Sequence, residues 1–310
     1  MKKVLLILMC CMAIQSVHAQ DTPKWADKAK KAVFSIVTYD KENKIKNTGN
    51  GFYIDNNGTA LSDYSLFEDA ERAVIINADG KELPVTRIAG ANSMYDVIKF
   101  RTKTEKKITA LKVATQPAAV GETVYLLPYS TQKAATCQTG KVTQVDTIAD
   151  KAYYYTLTMT TSDKTVSCPI MNANGEVLGL IQKSASEEDK ESYAIGASYG
   201  ESLSISPLSA NDINLNKIGI AKALPETEDQ ALVYLYMSSS QMDAKNYLAT
   251  LNDFLQAYPN STEGYTRRAG YYMNIGDDEH NALAEADLKK AMDVSGNKTA
   301  VSYTHLRAHE

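Results

Sequence analysis

The stretch Thr160–Gln182, TTSDKTVSCPIMNANGEVLGLIQ, decides how the rest of the chain is read. It reads as a strand, a tight loop, a second strand, a turn at Asn172–Gly175 and a last apolar strand holding Val177, Leu178, Leu180 and Ile181. Asn and Gly supply the positive φ that a hairpin turn needs. Working outward, β-rich runs recur at Val33–Tyr39, Gly49–Leu61 around an Asn56-Asn57-Gly58 turn, Ala73–Ile88 around Asp79-Gly80, Tyr95–Arg101, Gly121–Pro128, Ala134–Val145, Tyr153–Met159 and Ser192–Pro207. Short strands with turns every roughly 8–12 residues predict closed β-barrels. Trp25–Ala32 reads as a short basic helical lead-in.

Pro169, Ile170, Asn172, Gly175, Glu176, Val177 and Gly179 resemble the nucleophile strand of the trypsin-like peptidases, above all the HtrA/Deg group. Gly49-Asn50-Gly51-Phe52-Tyr53-Ile54-Asp55, followed by Leu61 to Phe67, resembles the segment that carries the catalytic base in that group. Tyr95–Arg101 resembles the strand that opens with the orienting Asp. Pro128, Thr136, Cys137, Gly140 and Val142 echo the start of the second barrel. The resemblance runs from about Ala32 to Pro207 with its landmarks in order. It implies a trypsin-like double β-barrel over residues 24–207.

The same resemblance places the chemical positions, and they carry the wrong residues. The base falls on Ser65, the orienting acid on Asp96, the nucleophile on Val166 and the oxyanion-loop glycine on Lys164. Ser-His-Asp chemistry needs an imidazole that takes the hydroxyl proton and returns it to the leaving group. No histidine lies between Gln20 and Glu279. Asp96 is then a capping or turn carboxylate. Ser65 or Ser167 with Lys164 makes a Ser-Lys pair only in outline, because the spacing has no signature. Gly296-Asn297-Lys298-Thr299 lacks the Gly-Lys adjacency and preceding strand of a phosphate loop, and His280 reads as a solvated helix-start residue. No cofactor or metal is expected.

The chain has 310 residues, 44% of them hydrophobic, with a formal net charge of −4. That balance argues against nucleic acid as a partner. Met1–Ala19 has the positive end, apolar run and small-residue cleavage site of a secretory signal. The expected location is therefore exported, periplasmic or at the cell envelope, with no membrane span after cleavage. Two cysteines follow the signal, Cys137 and Cys168. The resemblance sets their strands near each other and export supplies an oxidising compartment, so a Cys137–Cys168 disulfide is expected, with free structural thiols as the alternative.

Residues 208–228 read as a linker. From Asp229 the apolar period changes to 3.6. Asp243–Asn260, Thr262–Ile275 and Asn281–Met292 read as helices separated by Pro259-Asn260 and Gly276-Asp277-Asp278. Helix, Gly-Asp turn, helix and Pro-Asn stop resemble the tetratricopeptide (TPR) repeat of 34 residues, over residues 229–300. Val301–Glu310 breaks that pattern and resembles a translated sequencing adaptor, which suggests a non-native tail.

The fold class expected is β + α multidomain, a trypsin-like double β-barrel and then α-helical TPR repeats. The first functional reading is an exported, catalytically inactive protease-like protein that binds a protein or peptide through the TPR helices. The alternative is an active trypsin-like serine endopeptidase of the cell envelope.

Overall fold

The computed structural model describes residues 22–104, 108–149, 152–182 and 190–295. The expected signal at 1–19 and the tail at 301–310 lie outside the described residues. Two closed six-stranded antiparallel barrels come first, and helices follow. The first barrel holds β1 (Val33–Tyr39), β2 (Ile45–Tyr53), β3 (Thr59–Ser62), β4 (Arg72–Ile76), β5 (Glu82–Asn92) and β6 (Val97–Thr102), in the order β1-β2-β3-β6-β5-β4. The second holds β7 (Thr123–Leu126), β8 (Gln138–Ala149), β9 (Ala152–Leu157), β10 (Pro169–Met171), β11 (Val177–Ile181) and β12 (Ser192–Gly196), in the order β10-β11-β12-β9-β8-β7.

The alternation in β1 turns Phe34, Ile36 and Thr38 inward, as period-2 side chains require. The unbroken apolar run of β11 is buried at every position. Pairing of Ile36 with Ile75 closes the first barrel, and Ile170 with Leu126 the second. The Asn172–Gly175 turn forms as its chemistry predicts. Asn172 Oδ1 accepts from the N–H groups of Asn174 and Glu176 at 3.0 and 2.9 Å, and Gly175 takes φ 77°. Gly175 also has to be glycine because a Cβ there would lie 2.7 Å from Trp25 Cγ. Trp25 leads into helix α1 (Ala26–Ala29), which covers this end of the second barrel.

Three expectations change. The strand expected at Thr160 is absent, and Asp163–Ser167 is instead a tight turn. The closing strand stops at Gly196, where helix α2 (Ala197–Ser202) begins. Residues 208–228 are no free linker. After a 3-10 turn at Pro207–Asn211 and helix α3 (Ile213–Asn216), the chain straps across the first barrel. Leu215, Ile218 and Ile220 are buried in the barrel core. Ile88 N–H donates to the Ala221 carbonyl at 2.8 Å, and Ala223 N–H donates to the Ile88 carbonyl at 2.7 Å. Lys222 is half-buried there, its ammonium donating to the Ile218 and Ile220 carbonyls at 2.5 and 2.9 Å, and desolvation lowers its pKa to about 8.

The helical segment comprises α4 (Glu228–Ser238), α5 (Ala244–Ala257), α6 (Thr262–Ile275) and α7 (Asp278–Ser295). The starts of α4 and α6, and those of α5 and α7, are each 34 residues apart. Thr227, Asp243 and Ser261 cap the first three with side-chain oxygens, and Gly276 ends α6 at φ 77°. These are the residue types that satisfy free helix-end groups. Tyr234 of α4 is buried in the barrel core, and Arg87 of β5 pairs with Asp253 of α5 through Nε at 2.9 Å.

Candidate functional site

The site is built where β3 runs into a single 3-10 turn, Tyr64–Leu66, that presents Ser65. Asp96 stands opposite, in the turn before β6, with the left-handed φ of 49° that non-glycine residues adopt at some energetic cost. Its carboxylate accepts from Ser65 N–H at 2.7 Å and from Ser65 Oγ at 3.0 Å. The two positions that the sequence paired are therefore in contact. Both bonds place donors on the carboxylate. A serine hydroxyl does not take up a proton near neutral pH, so Ser65 cannot play the imidazole's part beside Asp96.

The segment carrying Lys164 and Val166 closes on itself. Thr165 N–H and Val166 N–H both donate to the Ser162 carbonyl, at 2.8 and 3.2 Å, and Thr165 Oγ1 donates to it at 3.0 Å. An oxyanion hole uses the N–H of the nucleophile residue and of the residue two before it. Here the N–H at the first of those positions is spent inside the turn. The carbonyls of Lys164 and Val166 instead point to Asn50 of β2, whose Nδ2 donates to them at 3.0 and 2.9 Å. Asn50 is held in turn by Ser62, whose Oγ donates to the Asn50 carbonyl at 2.6 Å. Lys164 has an exposed side chain, whereas Ser167 is fully buried with a left-handed φ of 64°. The structure does not bring them together as a Ser-Lys pair.

Asp63 lies beneath, 2% exposed. Burial raises its carboxyl pKa well above the ordinary value, and the negative charge of Asp96 adds to this. The neighbouring Ser167 hydroxyl works weakly the other way. Neither Asp63 Oδ1 nor Ser167 Oγ reaches hydrogen-bond geometry with a described group. The sequence reading missed Asp63 and Asn50. The signal for Asn50 was present, since it stands where the resembling segment has serine between two glycines.

The expected Cys137–Cys168 disulfide is replaced by two free thiols. Cys168 directly precedes β10 and Cys137 directly precedes β8, and β7 pairs between those two strands. Two strand spacings, roughly 9–10 Å, exceed the reach of a disulfide. Burial pushes the Cys137 thiol up to about 11 and the Cys168 thiol to about 12. His280 sits at the start of α7, with Nδ1 2.7 Å from Asp277 Oδ1.

A family model described as a trypsin-like peptidase domain matches residues 49–180, which include all four chemical positions. Among solved structures, 827 chains match. One is the crystal structure of the serine endoprotease from Yersinia pestis, at 15% identity and a TM-score of 0.48, over 56% of this chain and 61% of that one. No curated protein matches the chain. The fold is thus a trypsin-like double barrel followed by several helices.

Proposed function

We propose that this chain is an exported protein whose trypsin-like barrels do not hydrolyse peptide bonds and whose helices bind another protein. One observation carries the first half: Ser65 occupies the base position on Asp96 and makes both of its bonds to that carboxylate as a donor. The spent Val166 N–H and the inward carbonyls of the 162–168 turn support the same reading. For the second half, the 34-residue spacing of helix starts matches the TPR period, and such repeats stack into concave binding surfaces. Export rests on the signal-like Met1–Ala19.

Two measurements test this. Purified protein given casein or a fluorogenic peptide is expected to release product no faster than its Asp96→Ala variant. Sustained cleavage that Asp96→Ala abolishes would establish an envelope endopeptidase instead. Capture from an envelope extract is expected to recover partners with the native protein and to lose them with Tyr236→Ser/Ile275→Ser, two side chains that are 68% and 44% exposed. An unchanged partner set removes the helices from the role.

A further inference from the structure

A groove of about 660 Å³ opens between the α4–α5 connection and α6. On the α6 side it is lined by Arg267, Gly270, Tyr271 and Ile275, whose spacing puts them on one helix face. Met242 and Tyr247 lie across from them. Arg267 is the one charged residue of this lining. One of its terminal nitrogens meets Glu263 Oε1 at 2.9 Å, one helical turn earlier, and the Glu263 side chain is half exposed. The guanidinium lies over the Tyr236 ring, 5.7 Å from its centroid. Its Nε is buried and has no hydrogen-bond partner among the described residues. A buried donor without an acceptor is unfavourable, more so on a charged group. Gly270 adds free space, since a Cβ built there meets nothing within 4 Å.

We propose that this groove takes an extended peptide segment with an internal Asp or Glu. Its carboxylate bonds to Arg267, and an apolar side chain about three residues away lies over Gly270 and Ile275. The proposal rests on the protein-binding reading of the helices and specifies its chemistry. A carboxylate is the acceptor that a guanidinium matches best; Glu263 meets one terminal nitrogen from outside the lining, and no carboxylate within the groove meets the Nε. From Arg267 to Ile275 α6 advances roughly 12 Å, the length of three to four extended residues. Apolar surface lies beside the guanidinium at Tyr236 and one helical turn further along the groove at Tyr271, so a chain that passes through uses both where one that ends at Arg267 uses one.

Fluorescence anisotropy with labelled, C-terminally amidated peptides of the pattern Leu-x-x-Glu-x-x-Leu, with Ser and Gly spacers, tests the idea. The Glu peptide is expected to bind at least tenfold tighter than its Gln counterpart. Arg267→Gln is expected to remove that tenfold difference and leave the Gln peptide unaffected, so the two changes couple. Gly270→Met, for which the helix has room, is expected to block both peptides. Equal binding of Glu and Gln peptides, or binding only by a peptide with a free C-terminal carboxylate, overturns the proposal. Partner capture from the envelope extract separates it from the broader reading. If Gly270→Met abolishes capture and Arg267→Gln does not, the helices bind protein without the carboxylate, and this proposal alone falls. If neither variant alters capture, both fall.

Discussion

The Asn50 side chain donates to the Val166 carbonyl at 2.9 Å, so a strand of the first barrel holds the nucleophile-position residue of the second. The same amide holds the Lys164 carbonyl at 3.0 Å. Asn50→Ala leaves both carbonyls without this donor and is expected to lower stability by about 2 kcal/mol. It should also loosen the turn, so that trypsin cuts faster after the exposed Lys164. Urea unfolding and timed proteolysis check this. Unchanged midpoint and cleavage rate together would mean the clamp is incidental.

Restoring side chains alone is not expected to restore catalysis. Ser65→His/Val166→Ser supplies a base and a nucleophile, but the N–H of residue 166 remains bonded to the Ser162 carbonyl. A third change, Lys164→Gly, gives the loop the backbone freedom to turn its N–H groups outward. Hydrolysis of an activated ester is expected to stay at background in the double variant and to rise in the triple. Equal rates in the two would show that the turn is no obstacle.

Asp63 makes stability depend on pH. Its folded pKa is raised, so the folded state keeps a proton that the unfolded carboxyl gives up near about 3.9. Stability is therefore full below that value. It falls by roughly 1.4 kcal/mol per pH unit as the pH climbs toward the folded value. Asp63→Asn mimics the neutral acid and should flatten the decline above about pH 4. Parallel urea midpoints for the two proteins across that range would rule out this origin.

Arg268 of α6 grips Asp287 of α7 with two bonds of 2.7 Å, and the Asp287 side chain is 8% exposed. Arg268→Ala leaves that carboxylate unpaired and is expected to cost about 2–3 kcal/mol, less than a fully buried pair because Arg268 is partly solvated. The loss should be local. Helical circular dichroism should melt earlier, while fluorescence of the one tryptophan, Trp25, packed on Gly175 of the second barrel, keeps its transition. Identical shifts in both signals would show that barrel and helices unfold as one.

Protein beginning at Gln20 is expected to contain two free thiols in denaturant without reductant. In the folded state Cys137 should react slowly with an alkylating agent, and fully buried Cys168 not until unfolding. A titration that finds no thiol in denaturant would restore the disulfide.

What the sequence made legible was local. The Asn172–Gly175 turn carries its own carboxamide acceptor, and α6 begins and ends at the cap residues Ser261 and Gly276. The order of barrel landmarks located Ser65 and Asp96, which meet across 31 positions. What it hid depends on partners far along the chain. Asn50 reaches over 114 and 116 residues to its two carbonyls, and nothing in the 160–168 segment announces that it will turn inward to meet them. The strap reads as linker in sequence because Leu215, Ile218 and Ile220 are spaced irregularly among polar residues, and their common destination exists only once the barrel has formed. The disulfide failed for a similar reason: resemblance supplied the two strands but not the third that runs between them.

The strap also limits how this protein can be divided. A barrel cut at Pro207 loses Leu215, Ile218 and Ile220 from its interior and leaves Ile88 N–H and carbonyl without their partners. Shuffling the helices onto another carrier would take a piece of the barrel's filling with them. The two halves are separable in outline but share one inheritance, the strap, so a cut made there damages both.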